Sequence, residues 1–220
     1  MPDEAEWDTL NESIKILSFK YGFLLPGSWR RKATALKRAA DHLYERYELG
    51  CTRYLNRFSD EEGGTGTTST WDTASEEELG EDIANMSLIT EYSLLMGYAI
   101  ENLLKGILMA DHPDYFKPGQ KITDIRSHNL SALCKRCGFV VSDAEAKSLM
   151  KLTEYIEWLG KYPVPLVETA MYPKKDENGH WDGAHDRFRG NKVKVIVDSL
   201  YSQFHAELVS REDMTTKNPN

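Results

Sequence analysis

A chain of 220 residues, 40% of them hydrophobic, is long enough to bury a sizeable core and suits a single domain spanning residues 1–220. Its net charge of -8 and pI of about 5.3 exclude a broadly basic surface, so nucleic-acid binding would need a local cationic patch. Three cysteines do not make a disulfide framework and fit a reducing cytoplasm; the acidic start MPDEAEWDTL has no apolar h-region, and no stretch reads as a membrane span.

The first predicted element is a helix from Trp7 to Tyr21, with Leu10, Ile14, Leu17 and Tyr21 at helical spacing and Gly22 as C-cap. After the linker FLLPGS, Ser28 is placed to cap a long helix starting at Trp29. Leu36, Ala40, Leu43, Tyr47, Cys51, Tyr54 and Phe58 keep a three–four rhythm along it. Its outer face carries Arg30, Arg31, Lys32, Lys37, Arg38, Arg46, Arg53 and Arg57, a surface that either touches phosphates or is simply solvated. Residues 59–80 break the pattern with glycine, threonine and acid, which predicts a long mobile loop. Its GGTG is not a phosphate loop, because no strand precedes it and no lysine follows. The acidic run that ends it can neutralise the basic helix within the same chain.

The stretch Ser87–Met109, SLITEYSLLMGYAIENLLKGILM, is apolar almost all round. A helix of that kind is a central one, covered on several sides. Its polar positions Ser93, Gly97, Glu101 and Lys105 are four apart and form one narrow line. A loop with two prolines follows. Asn129 then opens a short helix with Leu130, Leu133, Cys134 and Cys137 on one face, ended by Gly138. Ser142 and Glu145 form an S-x-x-E capping box for the next helix, whose core stripe is Leu149, Leu152, Ile156 and Leu159 and which stops at Gly160 before KYPVP. Residues 161–190 are an irregular excursion with room for a short hairpin. The last helix runs from Asn191 to Ser210, with Val193, Val197, Leu200, Phe204 and Leu208 inward, and residues 211–220 are a frayed polar tail. Five or six helices around a central apolar one make an all-α bundle.

The order of these elements resembles the HEPN superfamily of helical bundles. Its members carry a long helix of the type A-x-E-x-x-x-K-x-L-L, then H-D-L-x-x-L, then R-Y-P. The matching positions are Ala99, Glu101, Lys105, Ile107 and Leu108; His128, Asn129, Leu130 and Leu133; and Lys161, Tyr162 and Pro163. The resemblance covers about Ser87 to Pro163, plus the last helix by position. It implies a homodimer linked to RNA cleavage in defence and toxin–antitoxin systems, to nucleotide binding, or to partnership with a nucleotidyltransferase or an antitoxin. Its ribonuclease members set an arginine a few residues ahead of a histidine near the last helix. Here Arg126 and His128 are too close, and Arg38 and His42 stand on another helix. His185 precedes Arg187 and Arg189, the reverse order, and Lys161 replaces the family arginine.

The candidate sites are therefore modest. Cys134 and Cys137 are one C-x-x-C without a second ligand pair, so they read as small core side chains rather than a zinc site. No motif implies a metal or a cofactor. Glu101 and Lys105 are an i,i+4 pair in the favourable order, either structural or lining a ligand pocket, with His128 as a further ligand-contacting residue. His180, His185, Arg187, Arg189 and Lys192 gather before the last helix, with Trp181 and Phe188 able to stack on bases. Three functions stay open. One is a non-catalytic or weakly active bundle binding RNA, a nucleotide or a partner protein. A second is a metal-independent ribonuclease using His185, Arg187 and Arg189 across a dimer axis. The third is a protein-interaction scaffold, and none of the three involves a membrane.

Overall fold

In a computed structural model of the protein, the apolar mid-sequence stretch is one helix running through the centre of a helical bundle. The structure describes residues 25–56, 75–112, 125–161 and 191–217, the helical positions 7, 10, 11, 13 and 14, and the strand pairs 174–175 and 181–182. The helices are α1 (Pro26–Asn56), α2 (Glu76–Ser87), α3 (Ile89–Asp111), α4 (Leu130–Arg136), α5 (Asp143–Glu154) and α6 (Asn191–Lys217). A π-helical turn, Tyr155–Leu159, prolongs α5. Two short strands, β1 (Lys174–Lys175) and β2 (Trp181–Asp182), pair antiparallel, Lys174 with Asp182 and Lys175 with Trp181, where the sequence leaves room for a short hairpin.

From Leu103 through Met109 every residue of α3 is buried, so this part of the helix is enclosed on all sides. α1, α4, α5 with its π turn, and α6 all pack on it. Met96, Ile100, Leu103, Leu104 and Ile107 have no accessible surface, and each such side chain contributes about 1.5–3 kcal/mol of hydrophobic stabilisation. Leu95 is half-buried. The narrow polar line is buried too. Ser93 turns its hydroxyl back onto the Ile89 carbonyl at 2.7 Å. Gly97 admits Ile156, whose Cγ1 would lie 2.8 Å from any Cβ there, and Gly106 admits Leu208 and Trp29 in the same way. Glycine in mid-helix is here a device for close helix approach. Glu76–Asp111 is the one stretch among the described residues that is long enough, and over one 18-residue window apolar enough at a mean hydropathy of 1.2, for a membrane span, contrary to expectation. Yet 72% of its apolar window lies inside the bundle.

Three boundaries differ from the sequence reading. α1 begins at Pro26, not at Trp29, because proline already has helical φ and needs no N–H in the first turn. Ser28 is inside that turn, its N–H bonded to Leu25 O at 2.9 Å, and is not a cap. Of the expected 59–80 loop, Ser75–Gly80 is the start of α2: Ser75 and Glu78 form a reciprocal capping box, and three glutamates in the first turn suit the helix dipole. Residues 59–74 lie outside the described residues. α6 continues to Lys217 through most of the expected frayed tail. Arg211 binds Asp111 and, at 2.7 Å, Glu207, while Glu212 accepts from Arg30, which ties these turns to α3 and α1.

The remaining caps agree with the sequence. Asn129 Oδ1 caps α4 through Ala132 N–H at 2.8 Å. Gly138 closes it at φ +81, with Phe139 N–H on Cys134 O and Gly138 N–H on Lys135 O, a Schellman arrangement. Ser142 and Glu145 form the second capping box. Gly160 stands at negative φ, so closeness to Leu94, whose Cβ would be 2.7 Å away, is what demands glycine there.

Candidate functional site

α3 and α4 together bring Glu101, Lys105 and His128 to one place. One turn of helix sets Lys105 above Glu101, and its ammonium binds Glu101 Oε1 in a short contact. His128 Nδ1 lies 3.1 Å from Glu101 Oε2. Both carboxylate oxygens therefore have partners, one cationic and one imidazole. Glu101 and Lys105 are 5% and 7% exposed, whereas the His128 side chain is 47% exposed. The start of α4 anchors the histidine. Leu130 N–H donates to Thr153 Oγ1 at 3.1 Å, that hydroxyl donates to Leu149 O at 2.9 Å, and Leu130 and Leu133 are buried. α4 is thus clamped between α3 and α5, with His128 at its mouth and the exposed Arg126 two residues earlier. A proton on Nδ1 donates to Glu101 and leaves Nε2 as the second ring nitrogen, free to accept or donate toward a ligand.

The cysteines pack as small core side chains. Cys134 is buried and Cys137 Sγ donates to Leu104 O at 3.4 Å. Burial, then the nearby Glu145 carboxylate, pushes the Cys134 thiol up to about 11. Burial, then Cys134 and Asp111, pushes Cys137 up to about 12. Such thiols are neutral at physiological pH and poor nucleophiles or ligands. Among the described residues no three His, Cys, Asp or Glu side chains converge on a metal position.

A second charged cluster joins α1 to α6. Lys37 Nζ reaches both Asp41 oxygens, at 2.6 and 2.7 Å, and Asp198 Oδ1 at 3.0 Å. Lys194 Nζ binds Asp198 Oδ2 and lies 3.9 Å from Asp41 Oδ1, which closes an alternating square. Burial alone would lower the Lys37 pKa, but the carboxylates of Asp41 and Asp198 outweigh it and the net shift is upward. Lys194 sits 5.1 Å over the Tyr44 ring, and Tyr44 stacks tilted on Tyr92 at 4.9 Å. The Tyr92 hydroxyl is buried without a hydrogen-bond partner among the described residues; burial first, then Asp198, holds its phenol above the usual range. The sequence holds half of this signal in two K-x-x-x-D spacings, Lys37/Asp41 and Lys194/Asp198. Spacing alone places Lys37 on the outer face of α1, and pairing across helices moves it inward.

Three more residues of the basic face are also engaged. Arg30 binds Glu212 at 3.0 Å, and Glu81 of α2 lies 3.5 Å from Arg46 and 3.9 Å from Arg53, so part of the acidic run does neutralise α1. Arg31, Lys32 and Arg38 remain exposed. His185, Arg187 and Arg189, with His180 and Phe188, lie outside the described residues; Lys192 is exposed in the first turn of α6.

The fold and the site define an all-α helical bundle with a buried Glu–Lys pair met by a half-exposed histidine. No family model, no curated protein and no solved structure matches the chain.

Proposed function

We propose that this protein is a non-catalytic or weakly active HEPN-like bundle that binds a nucleotide or an RNA phosphate at His128. The observation that carries this reading is the meeting of Glu101, Lys105 and His128, residues from two separate motifs of the resemblance, around one carboxylate. The buried ion pair orients the imidazole, and the half-exposed ring offers Nε2 to an anionic ligand, with Arg126 exposed beside it. Neutralisation of Arg30, Arg46, Arg53 and Lys37 within the chain favours a compact contact over a long strand tracked along α1. In this reading the protein works in the cytoplasm as a homodimer, beside a nucleotidyltransferase or an antitoxin, in a defence or toxin–antitoxin setting.

The test is binding of labelled RNA and of ATP by wild type and His128→Ala, with total RNA incubated alongside wild type and His185→Ala. Binding weakened about tenfold or more in His128→Ala, without RNA cleavage, is the expected result. Cleavage lost in His185→Ala would replace this reading with the ribonuclease using His185, Arg187 and Arg189. Neither binding nor cleavage would leave a protein-interaction scaffold.

A further inference from the structure

The contact between Glu101 and His128 fixes where the imidazole carries its hydrogen. Glu101 Oε1 is held by the Lys105 ammonium, and both residues are buried. A carboxylate paired in this way is an acceptor only and has no proton to give. The hydrogen in the 3.1 Å contact between His128 Nδ1 and Glu101 Oε2 therefore sits on the ring, at Nδ1. Without it, two lone pairs would face each other at that distance. The neutral ring is then left with its lone pair at Nε2. A phosphate oxygen is an acceptor too, so it meets the neutral ring lone pair to lone pair. Only the imidazolium, with an N–H at both nitrogens, donates to Glu101 and to a phosphate together.

The groups around the ring leave this choice to Glu101. α3 presents Glu101 itself, with Lys105 one turn further on. One turn earlier stands Tyr98, with Lys161 Nζ 5.9 Å from its ring centre. α5 meets the junction through Thr153, whose hydroxyl is engaged by Leu130 N–H and Leu149 O. The loop before α4 adds the exposed Arg126. Glu101 is the one ion-pair partner of the ring among the described residues. Lys105 and Glu101 cancel each other, so the charge His128 shows to a ligand is set by the ring's own second proton.

We infer that Glu101 makes His128 a proton-coupled, charge-selecting ligand: a phosphate binds only together with a proton taken up from water by the ring, whereas the neutral ring accepts from a ligand hydroxyl instead. This coupling rests on the reading that His128 holds a phosphate. Glu101 does not touch the ligand; it is a positioning residue that acts by choosing the tautomer. By linkage, affinity falls with rising pH, approaching about tenfold per unit once the free ring is neutral.

Calorimetric titration in two buffers of different ionisation heat tests it. The probes are an oligouridylate, whose phosphodiesters and bases keep one charge between about pH 6 and about pH 8, and ATP at about pH 8, where its phosphates are fully ionised. Proton uptake should approach one per site as pH rises to about 8, while oligouridylate affinity falls about tenfold or more across the span. Glu101→Leu/Lys105→Leu removes the Nδ1 acceptor without stranding a charge and frees the ring to carry its hydrogen at Nε2. In that variant the fall should shrink to about threefold or less. A probe that binds wild type without proton uptake, or an unchanged pH profile in the double variant, would overturn the coupling and leave the reading of His128 standing. Binding of neither probe, or binding undiminished in His128→Ala, would remove that reading and the coupling with it. If the double variant does not fold, ring-nitrogen NMR of wild type decides. Long-range proton–nitrogen correlations, assigned with His128→Ala, should show the neutral ring as its Nδ1–H tautomer and the ring of the complex as imidazolium. An Nε2–H tautomer, or a ring left neutral in the complex, would equally overturn it.

Discussion

Two parts of this molecule use the same local chemistry at different depths. On α3, Glu101 and Lys105 pair at i,i+4 inside the bundle, with His128 capping the second carboxylate oxygen. Between α1 and α6, two further i,i+4 pairs, Lys37–Asp41 and Lys194–Asp198, interlock at the bundle's edge with water at hand. In the first, each charge depends on its partner, because water cannot replace it. In the second, solvent shares the load and each charge has more than one counter-ion. Depth, not pairing pattern, decides what a lost partner costs.

The largest expected effect is therefore at the buried pair. Glu101→Ala strands the Lys105 ammonium in the core and should destabilise by about 3–5 kcal/mol in urea unfolding. Glu101→Leu/Lys105→Leu, which removes both charges, should recover most of that loss; a double variant as weak as the single one would mean that packing, not the stranded charge, sets the cost. Next comes the glycine that lets α5 reach the same line. Gly97→Val forces a side chain into Ile156, 2.8 Å from the built Cβ, and should cost about 1–3 kcal/mol through overpacking. At the edge cluster, Asp198→Ala should cost about 1 kcal/mol or less. Its effect should shrink in molar salt, while that of Glu101→Ala should persist; equal salt sensitivity would erase the contrast between the two sites.

The smallest effect at neutral pH is none, and it grows only in alkali. The Cys134 and Cys137 thiols have folded-state values raised from 9.0 to about 11 and about 12 by burial. Folded protein thus holds protons that the unfolded chain has released. Their contribution to stability is whole below about pH 9 and is lost as pH climbs through the folded values. Urea midpoints of reduced protein should fall over that window, less steeply in Cys134→Ser/Cys137→Ser. Tyr44, raised to about 12 first by burial, keeps a residual slope in both proteins. Identical slopes would show that the thiols do not titrate with unfolding.

Much of the fold is legible in the sequence because its signals are local. The capping boxes at Ser75 and Ser142, the Asn129 cap and the left-handed Gly138 act within a few residues of themselves. The Ser75 box hides among acids that read as loop, though acid in a first helical turn is a start signal. Of the candidate site, Glu101 and Lys105 are visible as a spacing, but His128 is 27 residues from Glu101 and only the docking of α4 joins them. The length of α6 escapes a sequence reading for a similar reason. Its last turns are polar, and their partners Asp111 and Arg30 lie far off in the chain.

By itself the sequence determined most of the helical segments, though not α2, and that Ser87–Met109 is central, since propensity, caps and apolar periodicity are short-range properties. Tertiary structure alone decided that the polar line of α3 is interior and that Glu101 bridges Lys105 and His128. It also decided that Lys37 turns inward to α6 while Trp7, Leu10 and Ile14 face out. These outcomes depend on what each face meets across the bundle, and a one-dimensional pattern shows that a face exists without showing what covers it.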